Sequence, residues 1–315
     1  MTKRSKISIV GAGNVGATLA QRIAEKRLAD IVLVDIVGDL AAGKALDMLE
    51  SAPILKYDVN IVGTDSYEET AGSDIVVITA GIARKPGMDR EELFKTNAEI
   101  VKTVTEKIVS YSPETILLIV SNPLDAMAYI AYQVSGFPRQ RVIGMAGVLD
   151  AARMAFFIAD ELNVSVENIH ACVFGGHGDT MVPSVRYTTV AGIPVKDLIG
   201  VKCLAAIIER TRKGGAEIVK LLKTGSAYYA PSTAGLEMVK AILLDTRKIL
   251  PCSVFMKGEY GFTDHFLGVP VKLGKAGVID IIDVQLEEDE SSDLHESAKK
   301  AYDLCRKADL LLSRI

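Results

Sequence analysis

One histidine and several arginines stand out as residues that could carry chemistry. His177 lies in the glycine-rich segment 175–179, directly after an apolar run that predicts a strand. Asp150 and Arg153 are three residues apart, which places an acid and a base on one face at the beginning of a helix. An imidazole exchanges a proton near neutral pH, and a planar guanidinium can bind a carboxylate through two parallel hydrogen bonds. These residue types suit the reduction of a carbonyl group, or the oxidation of a hydroxyl group, in a carboxylic acid.

Two more segments place polar residues at predicted strand ends. Residues 82–90 contain Arg84 and Arg90 together with a proline and a glycine, so they predict a loop rather than core. Asn122 precedes a proline after another apolar run. Ligands of parallel sheets bind beyond the carboxyl ends of the strands, so we expect these loops to converge on one crevice. Taken singly, the residues also fit plainer roles: a turn histidine, a helix ion pair, solvated charges and a turn-initiating asparagine.

A glycine motif near the N-terminus predicts a dinucleotide site. It fits GxGxxG between a predicted strand and a predicted helix. The glycines allow a tight turn, close approach to a pyrophosphate and close helix packing, while helix N–H groups face the phosphates. The predicted cofactor loop comprises Gly11, Ala12, Gly13, Asn14, Val15 and Gly16. Asp35 ends the next strand, 19 residues after Gly16. A carboxylate there can accept hydrogen bonds from both ribose hydroxyls and would repel a 2′-phosphate, which predicts NAD rather than NADP.

The pattern that must position these residues is clearest in the first half of the chain. Short apolar runs at 7–10, 31–34, 59–62, 75–79, 116–120 and 142–143 alternate with helical patterns at 15–26, 40–50, 90–111 and 124–134. The runs are continuous rather than alternating, which is typical of strands buried on both faces. We predict an α/β fold in which residues 1–145 form a Rossmann domain with a doubly wound, parallel sheet.

The second half has a different pattern and predicts a smaller α+β domain over residues 146–315. Helical patterns at 150–162, 203–222 and 232–244 accompany strand-like runs at 169–174, 253–257, 269–273 and 278–284. A last helix follows, with apolar residues at every third or fourth position between Leu294 and Leu312. Because His177, Asp150 and Arg153 all lie here, we predict that this domain binds the substrate.

Composition excludes several classes of protein. The 315 residues include 36 basic and 40 acidic side chains, a net charge of −4, so a basic face for nucleic acid is not expected. Hydrophobic residues make up 49%, yet no run is long enough for a membrane helix. The apolar run near the N-terminus contains glycines and an asparagine and does not predict a signal peptide. The four cysteines form no CxxC pair, which argues against a zinc site or a disulfide framework and favours a reducing cytosol.

Sequence patterns for three other kinds of site are incomplete or have simpler explanations. Residues 38–44 match the phosphate-loop pattern GxxxxGK, but Ala45 stands where a serine or threonine should bind magnesium. Acidic residues between 287 and 293 could suggest a metal site, although acids before a helix are more simply explained by its positive N-terminus. A serine hydrolase is disfavoured, because the chain has no GxSxG. We predict no metal site.

Taken together, the motifs resemble the NAD-dependent lactate/malate dehydrogenase family, in particular its lactate-dehydrogenase-like branch. The resemblance covers the whole chain and is carried by residues 11–16, Asp35, 80–90, Asn97, 120–123, 149–153 and 175–179. It implies that His177 donates and accepts the proton and that Asp150 holds this imidazole and makes it more basic. It implies that Arg153 binds the C1 carboxylate of the substrate.

The resemblance also implies roles for residues of the loops. Arg90 would polarise the C2 carbonyl when its loop closes, and Arg84 would pair with a second carboxylate. Asn122 would form a hydrogen bond with the substrate and also belong to the cofactor site. Asn97 and the backbone around Val120 would contact NAD. The resemblance also implies a homo-oligomer, because the family assembles as dimers and tetramers and this branch is usually tetrameric.

Arg84 decides the predicted substrate. An unpaired guanidinium in a closed pocket costs about 2–5 kcal/mol, which corresponds to roughly 30- to 5,000-fold discrimination. Members that act on pyruvate carry an uncharged residue there, typically glutamine. The residue therefore predicts oxaloacetate and (S)-malate as the substrate pair. A lactate or other 2-hydroxyacid dehydrogenase is the alternative, and a non-catalytic NAD-binding protein is a third hypothesis.

Overall fold

A nine-stranded sheet runs through the molecule in the computed structural model, which describes residues 4–82 and 89–313 and only the backbone of residue 90. Six parallel strands come from the first half: β1 (Lys6–Val10), β2 (Asp30–Val34), β3 (Ile61–Thr64), β4 (Ile75–Ile78), β5 (Ile116–Ile119) and β6 (Val142–Gly144). Their order across the sheet is β3-β2-β1-β4-β5-β6. Every residue of β4 and β5 is buried, since helices cover both faces of the sheet. This confirms the predicted doubly wound, parallel sheet.

Four helices connect these strands: α1 (Asn14–Glu25), α2 (Gly38–Leu55), α3 (Arg90–Tyr111) and α4 (Leu124–Ser135). The buried side chains of α1 include Leu19, Ala20 and Ile23, which lie on one face because of the helical repeat. Helix α3 begins where Asp89 accepts a hydrogen bond from the Glu92 N–H, at 2.7 Å.

The second half contributes the remaining elements: α5 (Gly147–Leu162), β7 (Ile169–Phe174), β8 (Val182–Val190), β9 (Ile193–Pro194), α6 (Val201–Leu222), α7 (Tyr229–Leu243), β10 (Ile249–Lys257), β11 (Thr263–Gly274), β12 (Gly277–Ile281) and α8 (Glu288–Leu312). Strands β7, β8 and β9 form a small antiparallel sheet. Strands β10, β11 and β12 instead extend the large sheet beyond β6, where Ser253 pairs with Gly144. The large sheet is therefore mixed, and the domain boundary between residues 145 and 146 stays a prediction.

Some expectations about individual elements were wrong. The sequence did not predict β8, because its proline and its polar residues interrupt the apolar pattern. Helix α2 does not end at residue 50 but continues through Pro53 to Leu55, and Lys56 then turns into the left-handed region. Strand β3 begins two residues later than predicted, since Ile61 is the residue that pairs with Ile31.

The parallel strands bring several connecting loops to one edge of the sheet. Strands β1, β4 and β5 all run in the same direction, so the segments after residues 10, 78 and 119 lie at the same edge. Strand β7 ends beside this edge, where Gly175 pairs with Gly268 of β11. The motif residues singled out in the sequence therefore gather in one region. None of the helices in the described ranges has both the length and the apolar character needed to cross a bilayer.

Candidate active site

A histidine and an aspartate form the centre of the site. Asp150 lies in the first turn of α5, and His177 lies on the loop after β7. The His177 Nδ1 and Asp150 Oδ2 atoms are 2.8 Å apart, and the Asp150 side chain is only 1% exposed. The second carboxylate oxygen accepts a hydrogen bond from Arg153 Nη1 at 3.2 Å. Since Asp150 binds Nδ1, Nε2 is the ring nitrogen left to exchange a proton with a substrate.

The charges around His177 favour its protonated form. Burial lowers the pKa of the imidazole, but the negative charge and hydrogen bond of Asp150, together with the charge of Asp125, outweigh this effect. The positive charge of Arg153 acts in the opposite direction and is smaller. The net result is that the pKa of His177 is raised above its ordinary value. A raised pKa favours the imidazolium form, which can donate its proton to a developing alkoxide.

Two glycines of α6 make room for Arg153. A Cβ atom added to Gly214 would lie 3.1 Å from the Arg153 Cδ atom, and one added to Gly215 would lie 3.7 Å from Nη2. The Arg153 side chain is 13% exposed, and its Nε is buried without a hydrogen-bond partner among the described residues. The guanidinium therefore lies between α5 and α6. Gly214 was not among the predicted site residues, although two adjacent glycines inside a helix are a signal for such a close approach.

The glycine loop after β1 has the shape that a dinucleotide requires. Gly11 has a φ of 108°, a conformation that favours glycine, and its N–H donates to the Val34 carbonyl at 2.7 Å. A Cβ on Gly16 would overlap the Gly11 carbonyl oxygen, so this glycine allows α1 to pack closely. Apart from its chain neighbours, none of the described residues has an atom within 4 Å of the Cβ position of Gly13. The loop is thus closely packed at Gly11 and Gly16 and open at Gly13, which fits a pyrophosphate against its backbone.

Neighbouring residues complete the predicted cofactor loop. The Asp35 carboxylate accepts hydrogen bonds from the Ala12 N–H at 2.7 Å and the Val37 N–H at 3.0 Å, which hold it beside the loop. Helix α1 begins at Asn14, and no side chain in the described part of the chain caps its N-terminus. Its first N–H groups can therefore bind an anion. Val15 lies in the wall of the cleft described next.

A cleft of about 490 Å³ connects the glycine loop with the His177 region. Six of the predicted site residues line it: Val15, Asn97, Val120, Asn122, Arg153 and His177. The structure therefore brings residues of α1, α3 and α5 and of the loops after β5 and β7 into one space. A cavity of similar volume, about 470 Å³, lies at the opposite edge of the sheet and contains none of the predicted site residues.

Asn97 connects two loops at the edge of this cleft. Its side-chain amide donates hydrogen bonds to the carbonyls of Asn122 at 2.7 Å and Ile82 at 3.2 Å, and it accepts one from the Ile82 N–H at 2.8 Å. The Val120 N–H donates to the Ile78 carbonyl, at 2.9 Å. Asn97 therefore holds the segments after β4 and β5 together, and its contact with the cofactor stays a prediction.

The side chains of two predicted substrate-binding residues lie outside the described part of the structure. Arg84 lies outside the described residues. Arg90 begins α3, but its side chain is not described. The roles of both arginines stay predictions.

The two alternative motifs have structural roles. The Lys44 ammonium of the phosphate-loop pattern donates a hydrogen bond to the Ala12 carbonyl at 2.6 Å. It therefore contacts the glycine loop after β1 instead of forming part of a phosphate loop. In the acidic segment, Glu287 and Glu290 form a capping box at the start of α8, and Glu290 also accepts a hydrogen bond from Ser184 Oγ at 2.7 Å. No cluster of three or more acidic, histidine or cysteine side chains in the described part of the chain is arranged to hold a metal ion.

Known proteins resemble this chain over nearly its full length. The model of the lactate/malate dehydrogenase NAD binding domain matches residues 5–144, and that of the alpha/beta C-terminal domain of the same family matches residues 147–305. A relative named malate dehydrogenase, from Chloroherpeton thalassium, is 57% identical over 308 residues, which cover 98% of this chain and 99% of the relative.

Solved structures give the same picture. The apo form of the malate dehydrogenase from Picrophilus torridus superposes with a TM-score of 0.96 at 46% identity, covering 99% of both chains. The lactate dehydrogenase from Cryptosporidium parvum, solved with lactic acid and nicotinamide adenine dinucleotide, has a TM-score of 0.94 at 38% identity, covering 98% of this chain and 99% of the other.

Proposed function

Because this chain belongs to the lactate/malate dehydrogenase family, we propose that it catalyses the reversible, NAD-dependent oxidation of (S)-malate to oxaloacetate. The observation that carries the proposal is the cluster of His177, Asp150 and Arg153 in a cleft beside a dinucleotide loop. This cluster combines a proton-transfer group with a cation for a carboxylate. The names of the relatives with identities of 53–57% support a malate dehydrogenase, and the lactate alternative is not favoured.

His177 is the proton acceptor in malate oxidation. Asp150 holds the Nδ1–H tautomer, so that Nε2 can take the proton from the C2 hydroxyl group. NAD, when bound, accepts the hydride from C2. In the reverse direction the imidazolium returns its proton to the carbonyl oxygen of oxaloacetate, and Asp150 stabilises the charged ring until that transfer.

The substrate is held at both ends by arginines. Arg153 binds the C1 carboxylate, because its guanidinium offers two parallel donors and is oriented by Asp150. Arg90 polarises the C2 carbonyl, Asn122 donates a hydrogen bond to the substrate, and Arg84 pairs with the C4 carboxylate.

The residues at the edge of β1 and β2 suit NAD. Gly13 leaves its backbone open to the pyrophosphate, and the free N–H groups at the start of α1 favour an anion. Asp35 accepts hydrogen bonds from the adenosine ribose. Asn97, Asn122 and the backbone of Val120 form the part of the cleft nearest the nicotinamide end.

An assay with several 2-keto acids tests the proposed reaction. The purified protein is mixed with NADH and with oxaloacetate, pyruvate or a longer 2-keto acid, and kcat/KM is measured for each. We expect oxaloacetate to be preferred over pyruvate by at least about 30-fold, which corresponds to the smallest cost of leaving the Arg84 guanidinium unpaired. Arg84→Gln should reduce this preference, and Lys85→Gln, a change of charge at the next residue, serves as the control. Equal use of pyruvate by the unaltered protein would contradict the proposal.

We also propose a homo-oligomer, a tetramer or a dimer, that acts in the cytoplasm in the tricarboxylic acid cycle. Large apolar side chains are exposed on several helices, among them Leu46 and Ile54 of α2, Phe156 of α5 and Tyr229 of α7. Such side chains suggest faces that a second copy would cover. Sedimentation velocity at micromolar concentration should give a dimer or a tetramer, and a monomer would contradict the proposal.

A further inference from the structure

A second carboxylate lies beneath the His177 loop. Asp125 is the second residue of α4 and is 5% exposed. It belongs neither to the cofactor loop nor to the predicted substrate-binding residues. A buried carboxylate is expensive unless hydrogen bonds compensate it, so its partners indicate why it is there.

Asp125 connects three elements through its two oxygen atoms. Its Oδ2 atom accepts a hydrogen bond from the backbone N–H of His177 at 3.1 Å, and Oδ1 accepts one from Ser253 Oγ of β10 at 2.6 Å. The loop approaches so closely that a Cβ atom on Gly176 would lie 3.2 Å from Asp125 Oδ2. Asp125 therefore fixes the main chain at the residue that transfers the proton.

Other elements hold the neighbouring residues of the same loop. Ser297 of α8 accepts a hydrogen bond from the Gly176 N–H at 2.8 Å, and Gly175 donates to the Gly268 carbonyl at 2.8 Å. These contacts involve neutral groups. Asp125 instead combines a carboxylate with a hydrogen bond from the backbone N–H of His177.

The charge of Asp125 acts on the His177 ring as well. Burial is the largest effect and raises the pKa of Asp125, and the hydrogen bonds from Ser253 and the His177 backbone offset only part of this rise. His177 is faced by Asp150 and Arg153 from α5 and by Asp125 from α4, and the charge of Asp125 raises the imidazole pKa together with that of Asp150. Arg212 of α6 and Asp179 of the loop itself line the same cleft.

We propose that Asp125 is a positioning residue for proton transfer, which fixes the His177 backbone and supplies a second negative charge that favours the imidazolium. The inference rests on the proposed function, because it takes His177 as the group that moves the proton. Asp150 orients the ring through Nδ1, and Asp125 holds the main chain through the His177 N–H.

Two variants separate the charge from the anchoring. Asp125→Asn keeps a hydrogen-bond acceptor of the same shape but removes the charge. Ser297→Ala removes the neutral hydroxyl group that accepts a hydrogen bond from the N–H of Gly176, the loop residue before His177. We expect Asp125→Asn to move the pH limb of kcat/KM for oxaloacetate reduction to lower pH by about half a unit or more, because the imidazolium loses a stabilising charge. Ser297→Ala should change the rate by one factor at all pH values and leave the limb in place.

Nuclear magnetic resonance of the histidine rings gives a readout besides activity. The His177 signal is assigned by its loss in His177→Asn, and its pKa is then measured in each variant. We expect a lower ring pKa in Asp125→Asn and an unchanged one in Ser297→Ala. An unchanged ring pKa in a folded Asp125→Asn, or an equal shift in Ser297→Ala, would overturn the inference.

The same titration distinguishes the inference from the proposed function. If the ring pKa falls in Asp125→Asn but the rates have no matching limb, the effect of Asp125 on the His177 ring is confirmed, whereas the proposed role of His177 in proton transfer fails and the positioning role falls with it. Ser253→Ala covers the case in which Asp125→Asn does not fold, because loss of the Ser253 hydrogen bond disfavours the charged form of Asp125. It should shift the ring pKa in the same direction by a smaller amount, and no shift would overturn the inference.

Discussion

The two glycines beside Arg153 allow a prediction in which stability and activity change in opposite directions. Gly214→Ala and Gly215→Ala each replace a glycine inside α6. In a helix interior this change stabilises by about 1 kcal/mol, which corresponds to an increase of the order of 2 °C in Tm. Helix propensity alone therefore predicts that both variants are more stable than the unaltered protein.

Their effects on Arg153 should differ. The methyl group of Gly214→Ala would lie 3.1 Å from Cδ and 3.4 Å from Nε of Arg153, whereas carbon atoms prefer a separation of about 3.5–4.0 Å. The side chain must move by roughly half an ångström, which disturbs the 3.2 Å contact with Asp150 and the alignment of the guanidinium with a carboxylate. Loss of one charge-assisted hydrogen bond costs about 1.5–3 kcal/mol, or roughly 10- to 150-fold in kcat/KM.

The matched control is the neighbouring position. The methyl group of Gly215→Ala would lie 3.7 Å from Nη2, an ordinary contact, so kcat/KM for oxaloacetate should change by less than about threefold. The assay measures Tm and kcat/KM for both variants, with the loss in Gly214→Ala appearing mainly as a higher KM. Full kcat/KM in Gly214→Ala, or an equal loss in both variants, would show that Gly214 does not position Arg153.

Three further predictions concern the cofactor loop and the acid–base pair. Gly13→Ala should keep its Tm but raise the Kd for NADH in a fluorescence titration, while Gly16→Ala should lower the Tm, because a Cβ there overlaps backbone. Asp35→Ser should reduce the ratio of kcat/KM for NADH to that for NADPH, since a carboxylate repels a 2′-phosphate; an unchanged ratio would contradict the role of Asp35. Asp150→Asn removes the charge that raises the pKa of His177, so oxaloacetate reduction should lose its imidazolium at lower pH than in the unaltered protein. The expected loss at neutral pH is about 150- to 5,000-fold, corresponding to 3–5 kcal/mol for a broken buried pair, and a wild-type pH profile would contradict it.

The local features of this fold were predictable because their causes lie within short segments. The strands β4 and β5 are continuous apolar runs, and the loop with Gly11 and Gly16 needs glycine for reasons of its own backbone. Strand β8 was missed because its burial depends on partners elsewhere rather than on its own alternation.

The contacts that complete the site depend on distant parts of the chain. Asp150 and His177 are 27 residues apart, and their pairing was expected only because of the family resemblance. Asp125 lies 52 residues before His177 and 128 before Ser253, so no spacing rule connects them. Gly214 leaves room for the Arg153 side chain, and this contact exists only because α5 and α6 pack together.

The pH dependence of both reaction directions tests the role of His177 most directly. As the pH rises, we predict that kcat/KM for oxaloacetate with NADH falls and that kcat/KM for malate with NAD rises. Each change should follow the loss of a single proton. Both pKa values should lie above the ordinary imidazole value of about 6.5, and His177→Asn should abolish both reactions. Rates that do not vary with pH, or a His177→Asn variant that still turns over, would contradict the account.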